Sequence, residues 1–112
     1  MKILLACCAG MSTSLLVKSM REACQAAHKD YQIWAVDQTA ISSELGNFDV
    51  LLLGPQVSFI KDDVKKMVGD SVPVEIIPSI DYGRCNGEAV VKFAEKLLEK
   101  EKENECARWQ NI

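Results

Sequence analysis

Cys7 and Cys8 stand at the end of an apolar run and are followed by Ala9, Gly10, Met11, Ser12, Thr13 and Ser14. A thiol, a glycine and hydroxyls on one turn can hold an anion beside a nucleophile. If Cys7 closes a strand and a helix begins near Ser12, the backbone N–H groups of residues 8–13 curl round the sulfur. The first N–H groups of a helix lack intrahelical partners, and the macrodipole adds about half a positive charge there. Such a nest favours a thiolate over a thiol and a phosphate dianion still more. Gly10 permits close backbone approach, and Ser12, Thr13 and Ser14 can cap the helix or donate to phosphate oxygens. A lowered thiol pKa would make Cys7 a better nucleophile and a better leaving group. The competing reading is a buried cysteine packed as a small hydrophobe, followed by ordinary helix capping. Residue types alone leave both open.

An absence narrows the chemistry. Cysteine phosphatases use Cys-x5-Arg, whose arginine grips the phosphate bidentately and stabilises the transition state. Five residues after Cys7 stands Thr13, and five after Cys8 stands Ser14; the loop holds neither arginine nor lysine, and Lys18 lies a turn into the helix. A site of this kind holds a phosphoryl group without being built to hydrolyse it. That suits a relay.

The elements that must position these residues follow from apolar periodicity. Residues 2–7 (KILLAC) and 49–53 (DVLLL) are nearly continuous apolar runs, as expected of strands buried on both faces. Residues 31–36 (YQIWAV) and 72–77 (VPVEII) are mixed, and Pro73 and Glu75 suit an edge strand. Leu16, Met20, Ala23 and Ala27 line one face of a helix over about 12–28, and Val57, Ile60, Val64, Met67 and Val68 mark a second. Val90, Ala94, Leu97 and Leu98 mark a third helix that runs into EKEKENE. TAISSELGN reads as a short helix with Thr39 as N-cap and Gly46 as its stop. Strand–helix alternation implies an α/β parallel sheet with helices on both faces, and the two most apolar strands belong in the middle. The order 2-1-3-4 satisfies this with right-handed crossovers. Ligands of open α/β sheets bind beyond the carboxyl ends of the strands at the switch point. The cysteine loop leaves strand one there.

Bulk properties bound the function. A chain of 112 residues with 48% hydrophobic and 26% charged residues is read as one domain, residues 1–103, with a tail over 104–112. Net charge is −3 and no basic block occurs, which argues against nucleic acid or an anionic membrane as the main partner. The five cysteines (7, 8, 24, 85 and 106) fit no disulfide or zinc framework, so no metal is expected. Only six residues precede Cys7, too few for a lipoprotein signal, and no apolar run approaches the roughly 18 residues of a membrane span. The expectation is a cytoplasmic protein with reduced thiols.

The segment CCAGMSTSLLVKSMR resembles the phosphorylation loop and first helix of the IIB components of the bacterial sugar phosphotransferase system, lactose/cellobiose/chitobiose type. DVLLLGPQV resembles the third strand and following turn of that family, and IDYG the loop after its fourth strand; the likeness covers about residues 1–98. It implies a flavodoxin-like, phosphatase-like three-layer sandwich and transient phosphorylation of Cys7. The phosphoryl group would arrive from a histidine of a IIA protein and leave for a disaccharide held by the membrane IIC permease. No cofactor is implied. Cys8 departs from the family pattern, where a small non-thiol residue is common.

Further residues fall beside this loop by topology. Pro55 and Gln56 follow strand three and border the Cys7 loop, Gln56 as a hydrogen-bonding group for phosphate or partner. Asp81 and Tyr82 follow strand four on the same rim and face partners rather than the reaction. Met11 and Phe59 offer an apolar docking rim. His28, the only histidine, is placed at the far end of helix one as a solvated terminal residue. Cys24 and Cys85 read as packing residues. Two rivals stay open on the residues alone: a low-molecular-weight phosphatase or arsenate-reductase-like enzyme, which would turn over a chromogenic phosphate ester, and a flavodoxin-like module, which would purify yellow with FMN.

Overall fold

From Ile3 onward, every side chain of β1 (Lys2–Cys7) is buried. The computed structural model describes residues 1–7, 11–69 and 72–110, the side chains of 11–13 and 100–110 excepted. After β1 come α1 (Met11–Ala26), β2 (Gln32–Asp37), a 3-10 helix over Gln38–Glu44 and β3 (Val50–Leu53). A second 3-10 helix (Pro55–Ile60), α2 (Lys61–Val68), β4 (Val74–Ile76), α3 (Ser79–Gly83) and α4 (Gly87–Gln110) complete the chain. The strands form one sheet in the order β2-β1-β3-β4, with every pair parallel. The expected topology is the observed one.

Side-chain alternation on the strands divides the core into two layers. Ile3 and Leu5 of β1, with Val50 and Leu52 of β3, pack beneath Leu16, Val17 and Met20 of α1 and Val90, Val91 and Ala94 of α4. Leu4, Ala6, Leu51 and Leu53 point the other way, onto Ile41, Phe48, Val57 and Val64. Each leucine buried in this way contributes about 1.5–3 kcal/mol. The central strands therefore carry most of the apolar gain, and their carboxyl ends are held as rigidly as the fold allows.

The edges are closed by charge. On β2 the Arg21 guanidinium donates to the Ile33 carbonyl through Nε at 2.9 Å and Nη2 at 2.5 Å, covering an outward-facing acceptor. On β4, Glu75 accepts from Lys61. Burial pushes the Glu75 carboxyl up, but the Lys61 hydrogen bond and charge outweigh it, so the group lies below its ordinary value. Lys29 and Tyr31 both reach Glu95 of α4, at 2.6 and 3.1 Å. The Glu95 hydrogen bond raises the Lys29 ammonium above its ordinary value.

Several local expectations are corrected. The short helix after β2 is a 3-10 helix, and its N-cap is Asp37, whose side chain accepts from the Thr39 N–H; Thr39 is the capped residue. The apolar run from Val57 does not form one helix with 61–68, because Val57 adopts non-helical angles (φ −115°, ψ 22°) and a 3-10 turn precedes α2. Met67, read as part of that buried face, is exposed. The segment after β4, read as a loop, closes into the single turn of α3. Cys24 is buried as expected, whereas half-buried Cys85 has φ 52° and turns the chain between α3 and α4. His28 is exposed and lies just past α1, with φ 56°.

α4 meets α1 through Gly87. Its N–H donates to Ser19 Oγ at 3.0 Å, and a Cβ there would lie 2.3 Å from both Met20 N and the Ser19 carbonyl carbon. Backbone atoms cannot swing aside as a side chain can. Gly87→Ala is predicted to lose about 1–3 kcal/mol of stability as α1 and α4 part. Urea unfolding with an unchanged midpoint would contradict this contact.

Candidate functional site

Cys7 is the last residue of β1, between Asp37 of β2 and the start of the turn after β3. It is 2% exposed. The Gly54 N–H donates to the Ala6 carbonyl at 2.9 Å, which carries the β1–β3 ladder up to the residue beside Cys7. A Cβ on Gly54 would lie 3.5 Å from the Cys7 Cβ, so the turn GPQ passes directly against the cysteine. Gln56 folds back over the same spot, its Oε1 being 2.9 Å from that Cβ position. The strand order reverses between β1 and β3, so this is the switch point of the sheet.

Cys8, Ala9 and Gly10 lie outside the described residues. Met11, Ser12 and Thr13 open α1, with side chains outside the description. Ser14 is exposed on the first turn. The helix thus starts four residues after Cys7. Pro55 is half-buried and opens the 3-10 turn, and Gln56 is exposed at the same end. Asp81 and Tyr82 sit half-buried on α3, and Tyr82 packs against the cluster under α1 and α4, so it braces this end of the sheet.

The contact of Gly54 with Cys7 was not legible in the sequence, and the exposed apolar residues were legible only in part. Gly54 lies directly against Cys7 where β3 ends; its position after four apolar residues marked a strand end but not what lay beside it. Three large apolar side chains are also exposed on elements that follow the strands. Leu15 of α1, Phe59 after β3 and Ile80 of α3 are 62%, 75% and 62% exposed. They sit on the elements that leave the carboxyl ends of β1, β3 and β4. Phe59 was anticipated, whereas Leu15 was hidden by adjacency to buried Leu16.

Elsewhere, Cys24 is chemically quiet. Burial pushes its thiol up, only partly offset by the Lys29 charge. No group of three or more potential metal ligands exists among the described residues. Among those residues, no helix is long and apolar enough to cross a membrane.

The family model for the lactose/cellobiose-specific IIB subunit of the PTS system matches residues 2–93. The chain belongs to that family. An oligo-beta-mannoside-specific EIIB component of Bacillus subtilis is 40% identical over 87% of this chain and 95% of its own length. A galactose-specific EIIB component of Lactococcus lactis is 46% identical over 86% and 94%. Among solved structures, the cellobiose-specific IIB protein of Borrelia burgdorferi superposes with TM-score 0.75 at 38% identity, over 90% of this chain and 94% of that one. The lactose-specific IIB domain of Streptococcus pneumoniae, at 15% identity, shares the fold with TM-score 0.77 over 87% and 96%. IIB subunits are phosphotransferase components, and this IIB chain brings its cysteine to the edge where such chemistry fits.

Gly54 has ordinary negative φ (−63°), so a side chain there is limited by space alone. Gly54→Ala is predicted to fold with less than about 1 kcal/mol lost, because the flexible Gln56 amide can move. Its Gln56 side-chain and Cys7 NMR resonances should shift while the rest stay in place. Unchanged Cys7 and Gln56 signals would show that the turn does not touch the cysteine.

Proposed function

We propose that this IIB subunit is a cytoplasmic phosphocarrier that takes a phosphoryl group onto Cys7 from a IIA phosphohistidine. It passes the group to a sugar held by a membrane IIC permease. The observation that carries this reading is the placement of Cys7 at the switch point, four residues ahead of α1. In the first step the Cys7 sulfur attacks phosphorus in line: the S–P bond forms as the P–N bond breaks. The imidazole nitrogen leaves with the bonding pair, and the thiol proton ends on the imidazole. In the second step a sugar hydroxyl oxygen attacks phosphorus, the S–P bond breaks and the sulfur leaves with its pair. The hydroxyl proton restores the thiol. Both displacements need close, oriented approach rather than covalent assistance.

Backbone N–H groups of residues 8–13 and the hydroxyls of Ser12, Thr13 and Ser14 supply the phosphate contacts, with Gln56 and Pro55 lining the β3 side. Leu15, Phe59 and Ile80 form the docking rim, and Asp81 lies on that rim. The slight exposure of Cys7 fits delivery by a docked protein better than capture of free phosphate esters. The relatives carry names for oligo-beta-mannoside, galactose and cellobiose. The substrate class is thus a sugar of the lactose/cellobiose type, chosen by the permease rather than by this subunit.

The test is sugar phosphorylation from phosphoenolpyruvate, with the general phosphotransferase proteins, a lactose/cellobiose-type IIA and membranes bearing the permease. Wild-type protein and Cys8→Ala should both support turnover, and Cys7→Ser should not. Turnover by Cys7→Ser at the wild-type rate, or none by a folded Cys8→Ala, would overturn the assignment.

A further inference from the structure

The turn after β3 is held on both sides of Gln56. The Gly54 N–H donates to the Ala6 carbonyl at 2.9 Å, and the Val57 N–H donates to the Gly54 carbonyl at 3.0 Å. Pro55 fixes its own φ, and the Val57 side chain is fully buried in the second core layer. The Gln56 backbone is thereby pinned, and its exposed side chain is the part free to turn. That side chain folds back over Gly54. A Cβ on Gly54 would lie 2.9 Å from Gln56 Oε1 and 3.5 Å from Cys7 Cβ, so no more than 6.4 Å separates the amide oxygen from Cys7 Cβ. Nε2 shares a carbon with that oxygen. Among the described residues no hydrogen bond holds either amide atom. The turn Gly54–Pro55–Gln56 carries no charge, and Lys61 beyond it is paired with Glu75.

A free amide on a pinned backbone beside a nucleophile suits a contact made in only one state of that nucleophile. A thiol is a weak acceptor and offers the amide little. The oxygens of a phosphoryl group on Cys7 would stand three bonds beyond its Cβ. One charge-assisted hydrogen bond of about 2.8 Å then closes the gap to an amide donor at this distance. Resting on the proposed phosphocarrier role, we infer that Gln56 Nε2 donates to a phosphoryl oxygen on Cys7. The contact stabilises the phosphorylated chain over the thiol state and so sets how firmly Cys7 retains its cargo. The donor is neutral: it replaces a hydrogen bond from water and adds no charge, so retention deepens modestly. The guanidinium of a phosphatase loop, by contrast, grips bidentately. Gln56 moves no proton and forms no bond to phosphorus. The competing reading is an exposed turn residue that merely rests on Gly54, and it requires no response of the amide to the state of Cys7.

The experiment compares the parent chain with Gln56→Ala, Gln56→Glu and, as a remote amide control, Gln25→Ala on the exposed face of α1. Three quantities are read: the equilibrium of phosphoryl groups between a lactose/cellobiose-type IIA and this chain, the Gln56 side-chain amide resonances before and after phosphorylation, and the Tm. Phosphorylation of the parent should move the Gln56 amide N–H signals downfield and leave those of Gln25 in place. Gln56→Ala should shift the equilibrium about tenfold toward phosphorylated IIA, the scale of an exposed hydrogen bond to a charged group. Gln56→Glu should shift it further, because a carboxylate of the same shape repels the phosphoryl group. The Tm should stay near the parent in both, and Gln25→Ala should change none of the three. An unchanged equilibrium in Gln56→Ala, or Gln56 amide signals indifferent to phosphorylation, would overturn the inference. So would an equilibrium shift that appears only with a fall in Tm, which marks a structural role. A parent chain that a competent IIA never phosphorylates would defeat the phosphocarrier reading itself and this inference with it, before any variant is compared.

Discussion

Burial of β1 on both faces is the constraint from which the rest follows. Ile3 to Ala6 touch no water, so the strand must have neighbours at both edges and helices above and below. That requirement places β1 next to both β2 and β3, and it makes the chain reverse its direction of winding at this strand. The carboxyl end of β1 lies at the switch point of the sheet, and Cys7 is the residue there, still buried at 2% exposure. The site is the place where the most rigid element of the molecule stops, which gives the sulfur a fixed position at little conformational cost.

The surroundings of that sulfur separate carrying a phosphoryl group from hydrolysing it. A hydrolase invests a guanidinium to stabilise the transition state and to hold phosphate between steps. Here the loop sequence offers backbone donors and hydroxyls and holds neither arginine nor lysine. A carrier must bind its cargo strongly enough to accept it and weakly enough to release it. In the proposed role, exposed Leu15, Phe59 and Ile80 offer apolar surface to the proteins at either end of the relay.

Much of this was legible in the sequence because the strongest signals were strong for physical reasons. KILLAC and DVLLL are apolar without alternation, which only strands covered on both faces require, and strand order followed from them. Pro73 and Glu75 marked β4 as an edge. Finer features depended on tertiary placement. The N-cap after β2 went to Asp37 rather than Thr39 because the strand ran one residue further than its apolar pattern. The helix after β3 breaks at Val57, which is fully buried and holds non-helical angles. Gly54 and Asp37 were invisible as neighbours of Cys7, since nothing local to either reports the register of strands far apart in sequence. Residues 8–10, the heart of the predicted nest, lie outside the described structure.

The central claim is that Cys7, and not its neighbour Cys8, carries the phosphoryl group. It is tested most directly by incubating the protein with phosphoenolpyruvate, the general phosphotransferase proteins and a lactose/cellobiose-type IIA, then measuring intact mass and mapping the modified peptide. One added phosphoryl group is expected, dependent on IIA, located on Cys7 and absent from Cys7→Ala. A phosphoryl group located on Cys8, or none on a folded protein beside a IIA shown to be phosphorylated, would contradict it.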